Sequence, residues 1–136
     1  MPRLVLDASV AIAAFVPEQH SKEAQNILRQ VARSGAVVPG LWPLEMAHVL
    51  ITLERRKVID GDQRLGIIED LRTLGITLDP ETPFRAWKAT LDVATRHALS
   101  VYDASYLELS LRLSLPLATF DSALRHAATE ASALLA

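Results

Sequence analysis

The chain has 136 residues, 50% of them hydrophobic and 22% charged, with a formal net charge of −2. That size and apolar content suit a single globular domain over residues 1–136, with no linker or repeat dividing it. The lack of cysteine excludes disulfides and thiolate metal sites, and the slightly acidic balance excludes a protein that coats nucleic acid through bulk positive charge.

Leu4-Val5-Leu6 reads as a short buried strand closed by Asp7, with a helix from about Ser9. The apolar run over residues 4–16 is interrupted by Asp7 and Ser9. It is too short to span a bilayer and lacks the basic start and cleavage site of a signal peptide, so a cytoplasmic chain without membrane contact is expected. Ser21 is expected to cap a second helix with apolar positions at Ala24, Ile27, Leu28 and Val31, stopped near Gly35. Ala36-Val37-Val38 reads as the second buried strand, closed by Pro39-Gly40.

Pro43 suits the first turn of a third helix reaching about Arg56. Leu44, Ala47, Leu50 and Ile51 offer it an apolar stripe, with Glu45 and His48 on the flank. Asp60 with Gln63 spells a capping box for a fourth helix that Gly75 ends, before a third strand at Ile76-Thr77-Leu78. Thr82-Pro83 opens a fifth helix to about His97, and Asp103 begins a sixth with Tyr106, Leu107, Leu109 and Leu113. Leu117-Ala118-Thr119-Phe120 reads as the fourth strand, with Asp121 or Ser122 capping a last helix. Residues 131–136 fit either a fifth edge strand or a frayed tail.

Short apolar strands alternating with amphipathic helices predict an α/β three-layer sandwich around a mainly parallel sheet of four or five strands. Such a sheet binds ligands at the carboxyl ends of its strands, where strand order reverses. Asp7 closes one strand and Asp121 follows another, while Glu45 and Asp103 stand in first helical turns. All four acids therefore have a geometric reason to meet at one edge. Two unit charges about 4 Å apart repel by roughly 4 kcal/mol at an effective dielectric near 20, so convergence calls for shifted pKa values or a cation. An all-carboxylate set favours a hard ion, Mg²⁺ or Mn²⁺, which activates water and stabilises both oxygens of an in-line phosphoryl displacement. The structural alternative is that each acid caps a helix or complements its dipole. It accounts for Glu45, Asp103 and Asp121 more readily than for Asp7, which closes an apolar strand.

Asp7-Ala-Ser9-Val-Ala at the end of the first strand resembles the opening of the PIN-domain ribonucleases, and Trp42-Pro43-Leu44-Glu45-Met46-Ala47 their helix with the second acid. Leu99-Ser-Val-Tyr102-Asp103-Ala104-Ser-Tyr106-Leu107 is similar to the third motif, and Leu117-Ala-Thr119-Phe-Asp121-Ser-Ala-Leu124 to the fourth. The motifs occur in the family's order, and length and layout most resemble VapC-type toxins of toxin–antitoxin pairs. The resemblance implies a magnesium-dependent endoribonuclease in which Asp7, Glu45, Asp103 and Asp121 bind metal or position a base. It implies that the hydroxyls of Ser9 and Thr119 orient carboxylates or waters. It also implies an RNA substrate, inhibition by a small antitoxin protein and a homodimer. One position departs from the pattern: His48 stands where such proteins often carry Asn, supplying a donor whose charge varies near neutral pH.

Other readings fit less well. Glu45-Met-Ala-His48 matches the Glu-x-x-His of di-iron bundles, which need the motif on two helices. A dehalogenase-like phosphatase needs a second Asp where Ser9 stands, and a receiver domain needs a late strand-end Lys, but no Lys follows Lys88. His20, His97 and His126 lack ligand spacing. Arg55, Arg56 and Lys57 suit a solvated helix end, and Trp42 and Trp87 suit core or interface anchors. The remaining rival is a catalytically silent PIN-like module that binds RNA or protein.

Overall fold

In the computed structural model, which describes residues 3–135, four short strands form one parallel sheet in the order β3-β2-β1-β4. They are β1 (Leu4–Leu6), β2 (Ala36–Val38), β3 (Ile76–Leu78) and β4 (Leu117–Ala118). β1 lies between β2 and β4, with Val5 opposite both Val37 and Leu117. It is wholly buried, as are β2 and β4, so these strands read as unbroken apolar runs rather than alternating ones. β3 is the more exposed outer strand.

The chain steps from β1 to β3 in one direction, then returns to place β4 on the other side of β1. Right-handed crossovers made in opposite directions lay their helices on opposite faces, which gives three layers. Strand order reverses between β1 and β4, so Asp7 and the Thr119–Asp121 segment sit together at the switch point.

Two helices, α1 (Ala8–Ala13) and α2 (Ser21–Ser34), link β1 to β2, and α3 (Trp42–Arg55) and α4 (Gly61–Thr73) link β2 to β3. Ser21 does not cap α2; His20 occupies the cap position, and the Ser21 hydroxyl instead donates to the Val16 carbonyl and accepts from the Glu18 amide. Gly35, at φ 84°, turns the chain into β2, where a Cβ would come within 3.0 Å of the Gly75 carbonyl oxygen. The capping box of α4 forms as expected, with Asp60 and Gln63 each accepting the other's backbone N–H at 2.8 Å.

The inward stripe of α3 is Trp42, Met46 and Leu50, not the expected Leu44, Ala47, Leu50 and Ile51. The helix carries apolar residues around much of its circumference, so periodicity alone allowed several phases. The large Trp42 and Met46 side chains take the core, leaving Leu44 78% exposed.

From β3 to β4 run α5 (Thr82–Arg85), a π-helical turn (Ala86–Thr90), α6 (Leu91–His97) and α7 (Val101–Leu113). The expected single helix over residues 82–97 is thus helical throughout, with a π-helical turn in its middle. α7 starts two residues before Asp103, because Ser100 caps it by accepting the Asp103 amide at 3.1 Å. Seven consecutive residues of α7, Ala104 to Ser110, are buried. α8 (Ser122–Glu130) follows β4, which ends at Ala118 rather than Phe120.

Among the described C-terminal residues, Leu134 makes one parallel bridge to Leu117, the smallest form of the fifth-strand pairing; Ala136 lies outside the described residues. No helix among the described residues is long and apolar enough to cross a membrane.

Candidate active site

Asp7 is the buried centre of the site, 6% exposed at the end of β1. Its backbone occupies the N-cap position of α1, yet its side chain caps nothing. Oδ2 accepts hydrogen bonds instead from the Ser9 and Thr119 hydroxyls, each at 2.7 Å. Both hydroxyls also accept a backbone amide from the segment after β4: Ser9 Oγ from Phe120 and Thr119 Oγ1 from Asp121, each at 3.1 Å. Each hydroxyl proton is therefore directed at Asp7, and the pattern locks the ends of β1 and β4 together. Arg125 adds a hydrogen bond to the Thr119 carbonyl at 2.9 Å.

Glu45 is half-buried in the first turn of α3, and its Oε1 accepts from the phenol of Tyr106 at 2.5 Å. Asp103 is half-buried at the start of α7, with its helix capped by Ser100. Asp121 is exposed and does cap α8, Oδ2 accepting the Leu124 amide at 3.0 Å. The capping explanation thus holds for Asp121, through one of its two oxygens. Asp7 and Glu45 make no cap bond and Ser100 takes that role from Asp103, while Glu45 and Asp103 still stand in first turns, where their charge complements the helix dipole.

The carboxylates act on one another. Burial pushes the Asp7 carboxyl above its ordinary range, against the hydrogen bonds of Thr119 and Ser9, and the Asp121 charge adds to the rise. Burial raises Glu45 as well; the Tyr106 hydrogen bond lowers it, and the charges of Asp7 and Asp103 raise it further. Asp103 is raised by burial, then by Asp121 and Asp7. Burial and the nearby Asp7 charge also raise the Tyr106 phenol, which keeps its proton and remains a donor. Asp7 and Asp103 thus lie within reach of Glu45's charge, and Asp121 within reach of Asp7 and Asp103. Among the described residues, no three acidic or histidine side chains stand at the mutual distances of a closed ligand set.

Other singled-out residues lie elsewhere. His48 is exposed, lining a shallow groove with Leu44 and Ile51 of α3 and Arg64 of α4, and among the described residues its side chain makes no hydrogen bond to the acids. The His20 ring stacks on Phe120 at 4.6 Å, while His97 and His126 face Glu130. Arg55, Arg56 and Lys57 are exposed where α3 ends. Trp42 is in the core, and Trp87 is 93% exposed.

Tyr106 is a site contact that the sequence marks as an apolar position of α7 and a member of the third motif, without a role at the site. Its signal was available: three positions after Asp103, it shares a helix face with that acid. Also unforeseen is a buried ion cluster in which Arg112 meets Asp79 at 2.6 Å and Glu108 at 3.0 Å.

The pKa directions set the pH dependence of stability. Asp7, Glu45 and Asp103 have folded values above the unfolded references of 3.8, 4.5 and 3.8. Between the reference and the folded value, the folded chain holds more protons than the unfolded chain, so stability falls as pH rises through that window. Asp79 acts in the opposite sense: despite burial, hydrogen bonds from Arg112 and Thr82 hold it below 3.8, and its contribution is lost as pH falls through that lower value. In the absence of divalent cations, these three acids should therefore make the melting midpoint decline as pH rises above their reference values, and Asp103→Asn should lessen the decline. An Asp103→Asn variant with the same pH profile as the wild type would contradict the clustering.

A family model described as "PIN domain" matches residues 4–130. Ribonuclease VapC3 of Pyrobaculum aerophilum is 29% identical over 119 residues, which cover 88% of this chain and 89% of that protein. The crystal structure of PAE2754 from Pyrobaculum aerophilum aligns with a TM-score of 0.69 at 21% identity, over 92% of this chain and 78% of the other, a likeness of fold.

Proposed function

The chain belongs to the PIN-domain family, and on that premise we propose that it is a metal-dependent endoribonuclease formed by one domain over residues 1–136. The observation that carries this reading is the placement of Asp7, held by Ser9 and Thr119, at the β1–β4 switch point, with Glu45, Asp103 and Asp121 near enough for charge to act between them. An all-oxygen donor set of like charges fits a hard divalent cation, Mg²⁺ or Mn²⁺, better than any other counter-ion. Asp7, Glu45, Asp103 and Asp121 would hold one or two such ions. When bound, the ion supplies a water acidic enough to attack phosphorus near neutral pH and offsets charge on the phosphodiester oxygens.

The protein's own part is positioning. Ser9 and Thr119 fix Asp7 through Oδ2, and Tyr106 holds Glu45 through Oε1. Asp121 keeps its remaining oxygen free of the helix cap. The exposed side of the cluster, at Asp121, admits the RNA strand.

The likeness to Ribonuclease VapC3 supports RNA as the substrate. The four ordered motifs support the further reading that this is the cytoplasmic toxin of a toxin–antitoxin pair, held by a small antitoxin protein and paired as a homodimer. Phe84 and Trp87, 80% and 93% exposed, provide apolar surface of the kind such contacts cover.

The purified protein should cut single-stranded or loop RNA when Mg²⁺ or Mn²⁺ is added and stop when EDTA is in excess. Cleavage undiminished by EDTA would rule out the metal mechanism. No cleavage of any RNA pool with several divalent ions would favour the silent binding module.

A further inference from the structure

We propose that Tyr106 is a positioning residue for the acid site: its buried phenol fixes the Glu45 carboxylate beside Asp7 and Asp103 and thereby sets how tightly the site holds a divalent cation. This inference rests on the metal-dependent reading above.

The bond joins residues 61 positions apart, on α3 and α7. Tyr106 is completely buried, in a helix that packs on β1. Its ring therefore has little freedom, and its hydroxyl is a fixed donor rather than a mobile one. Glu45 is its opposite: a long side chain, half-buried, whose three side-chain torsions would otherwise sample several rotamers. A bond of 2.5 Å to a carboxylate is a strong, charge-assisted one. It occupies Oε1, and among the described residues Oε2 accepts no hydrogen bond.

Asp7 is held in the same manner by Ser9 and Thr119. The two inner acids are thus each anchored through one oxygen by hydroxyl protons. Partners that orient a metal's ligands in this way typically contribute about 10–100-fold to metal affinity. A buried phenol needs a hydrogen-bond partner, and the one Tyr106 takes is an acid of the cluster rather than a backbone group of the core, while the Asp7 charge also bears on the phenol.

Tyr106→Phe removes the hydroxyl and keeps the ring. Mn²⁺ binding to the intact, RNA-free chain, read by calorimetry or by the electron paramagnetic signal of free Mn²⁺, should weaken by about tenfold or more. Cleavage should fall at limiting Mn²⁺ and recover toward the wild-type rate when Mn²⁺ is raised, with KM for RNA little changed. In a Glu45→Gln background the same substitution should add almost nothing, because the hydroxyl acts through Glu45.

If Tyr106→Phe binds Mn²⁺ as the wild type does while Glu45→Gln binds it more weakly, Tyr106 is only a core residue and the proposal fails, with the metal site standing. If wild type and Glu45→Gln both bind no Mn²⁺, the metal reading fails and takes this inference with it. Should Tyr106→Phe not fold, Glu45→Asp provides the second test. It shortens the acid away from the phenol, and unchanged Mn²⁺ affinity there would overturn the proposal.

Discussion

Asp7→Asn is expected to lower RNA cleavage about a thousandfold while leaving the fold intact. A metal's stabilisation of developing phosphoryl charge is worth several kcal/mol, and each 1.36 kcal/mol is tenfold in rate. Asp7 is the acid whose charge bears on Glu45, Asp103 and Tyr106 alike, so its loss affects the whole cluster. The fold should survive because the Asn carbonyl oxygen can still accept the Ser9 and Thr119 hydroxyl protons. Burial is also the main reason the Asp7 carboxyl is raised, so an uncharged amide removes a cost. In EDTA the variant should melt no lower than the wild type.

Cleavage by purified wild type and variant at matched concentration, with Mg²⁺ and with Mn²⁺, checks the rate. Expression in a bacterial host extends the test: the wild type should arrest growth, and the variant should relieve the arrest at equal soluble levels. Equal cleavage by the two proteins would remove Asp7 from the catalytic machinery.

The largest loss of stability is expected from Arg112→Met. Arg112 donates to Asp79 through Nη1 and Nη2 and to Glu108 through Nε and Nη2. Asp79 and Glu108 are 5% and 6% exposed, so neutralising Arg112 leaves two buried carboxylates without a counter-charge. Removing one partner of a buried ion pair costs about 3–5 kcal/mol, which for a domain of this size lowers the melting midpoint by roughly 10–20 °C. The Met side chain keeps much of the apolar stem, so lost packing contributes little.

Asp79 follows β3 and also accepts from Thr82, so the cluster ties that end of the sheet to α7, the helix that carries Asp103 and Tyr106. The triple variant Asp79→Asn, Glu108→Gln, Arg112→Met should regain much of the lost stability, because the uncompensated charges are gone. A fall of under about 1 kcal/mol for Arg112→Met alone would mean that water screens the cluster as it screens a surface pair.

Much of the fold was legible in the sequence because its signals are local. Unbroken apolar triplets at residues 4–6 and 36–38 mark strands buried in a parallel sheet, Ile76-Thr77-Leu78 between turn signals marks an outer one, and all three form. Asp60 and Gln63 spelled their own helix start. The helix phases were harder. α3 has apolar residues on several faces, and only packing against the rest of the core decided that Trp42 and Met46 turn inward. The start of α7 was missed because Asp103 and Ser100 are both good caps by type, and backbone geometry chose Ser100.

By itself the sequence determined the chemistry available: no cysteine, four acids placed after strands or in first helical turns, and motifs in the order of one family. Local patterning sufficed for this, because strand ends and helix starts are encoded within a few residues of each acid. Only the tertiary structure decided what each acid's oxygens do. The reversal of strand order at β1 brought Thr119 against Asp7 from 112 residues away, and α7 brought Tyr106 to Glu45 across 61. It also settled that Asp121 caps a helix with one oxygen while Asp7 caps nothing. Contacts so distant in the chain leave no periodic trace, since they depend on how helices and strands pack rather than on their neighbours in sequence.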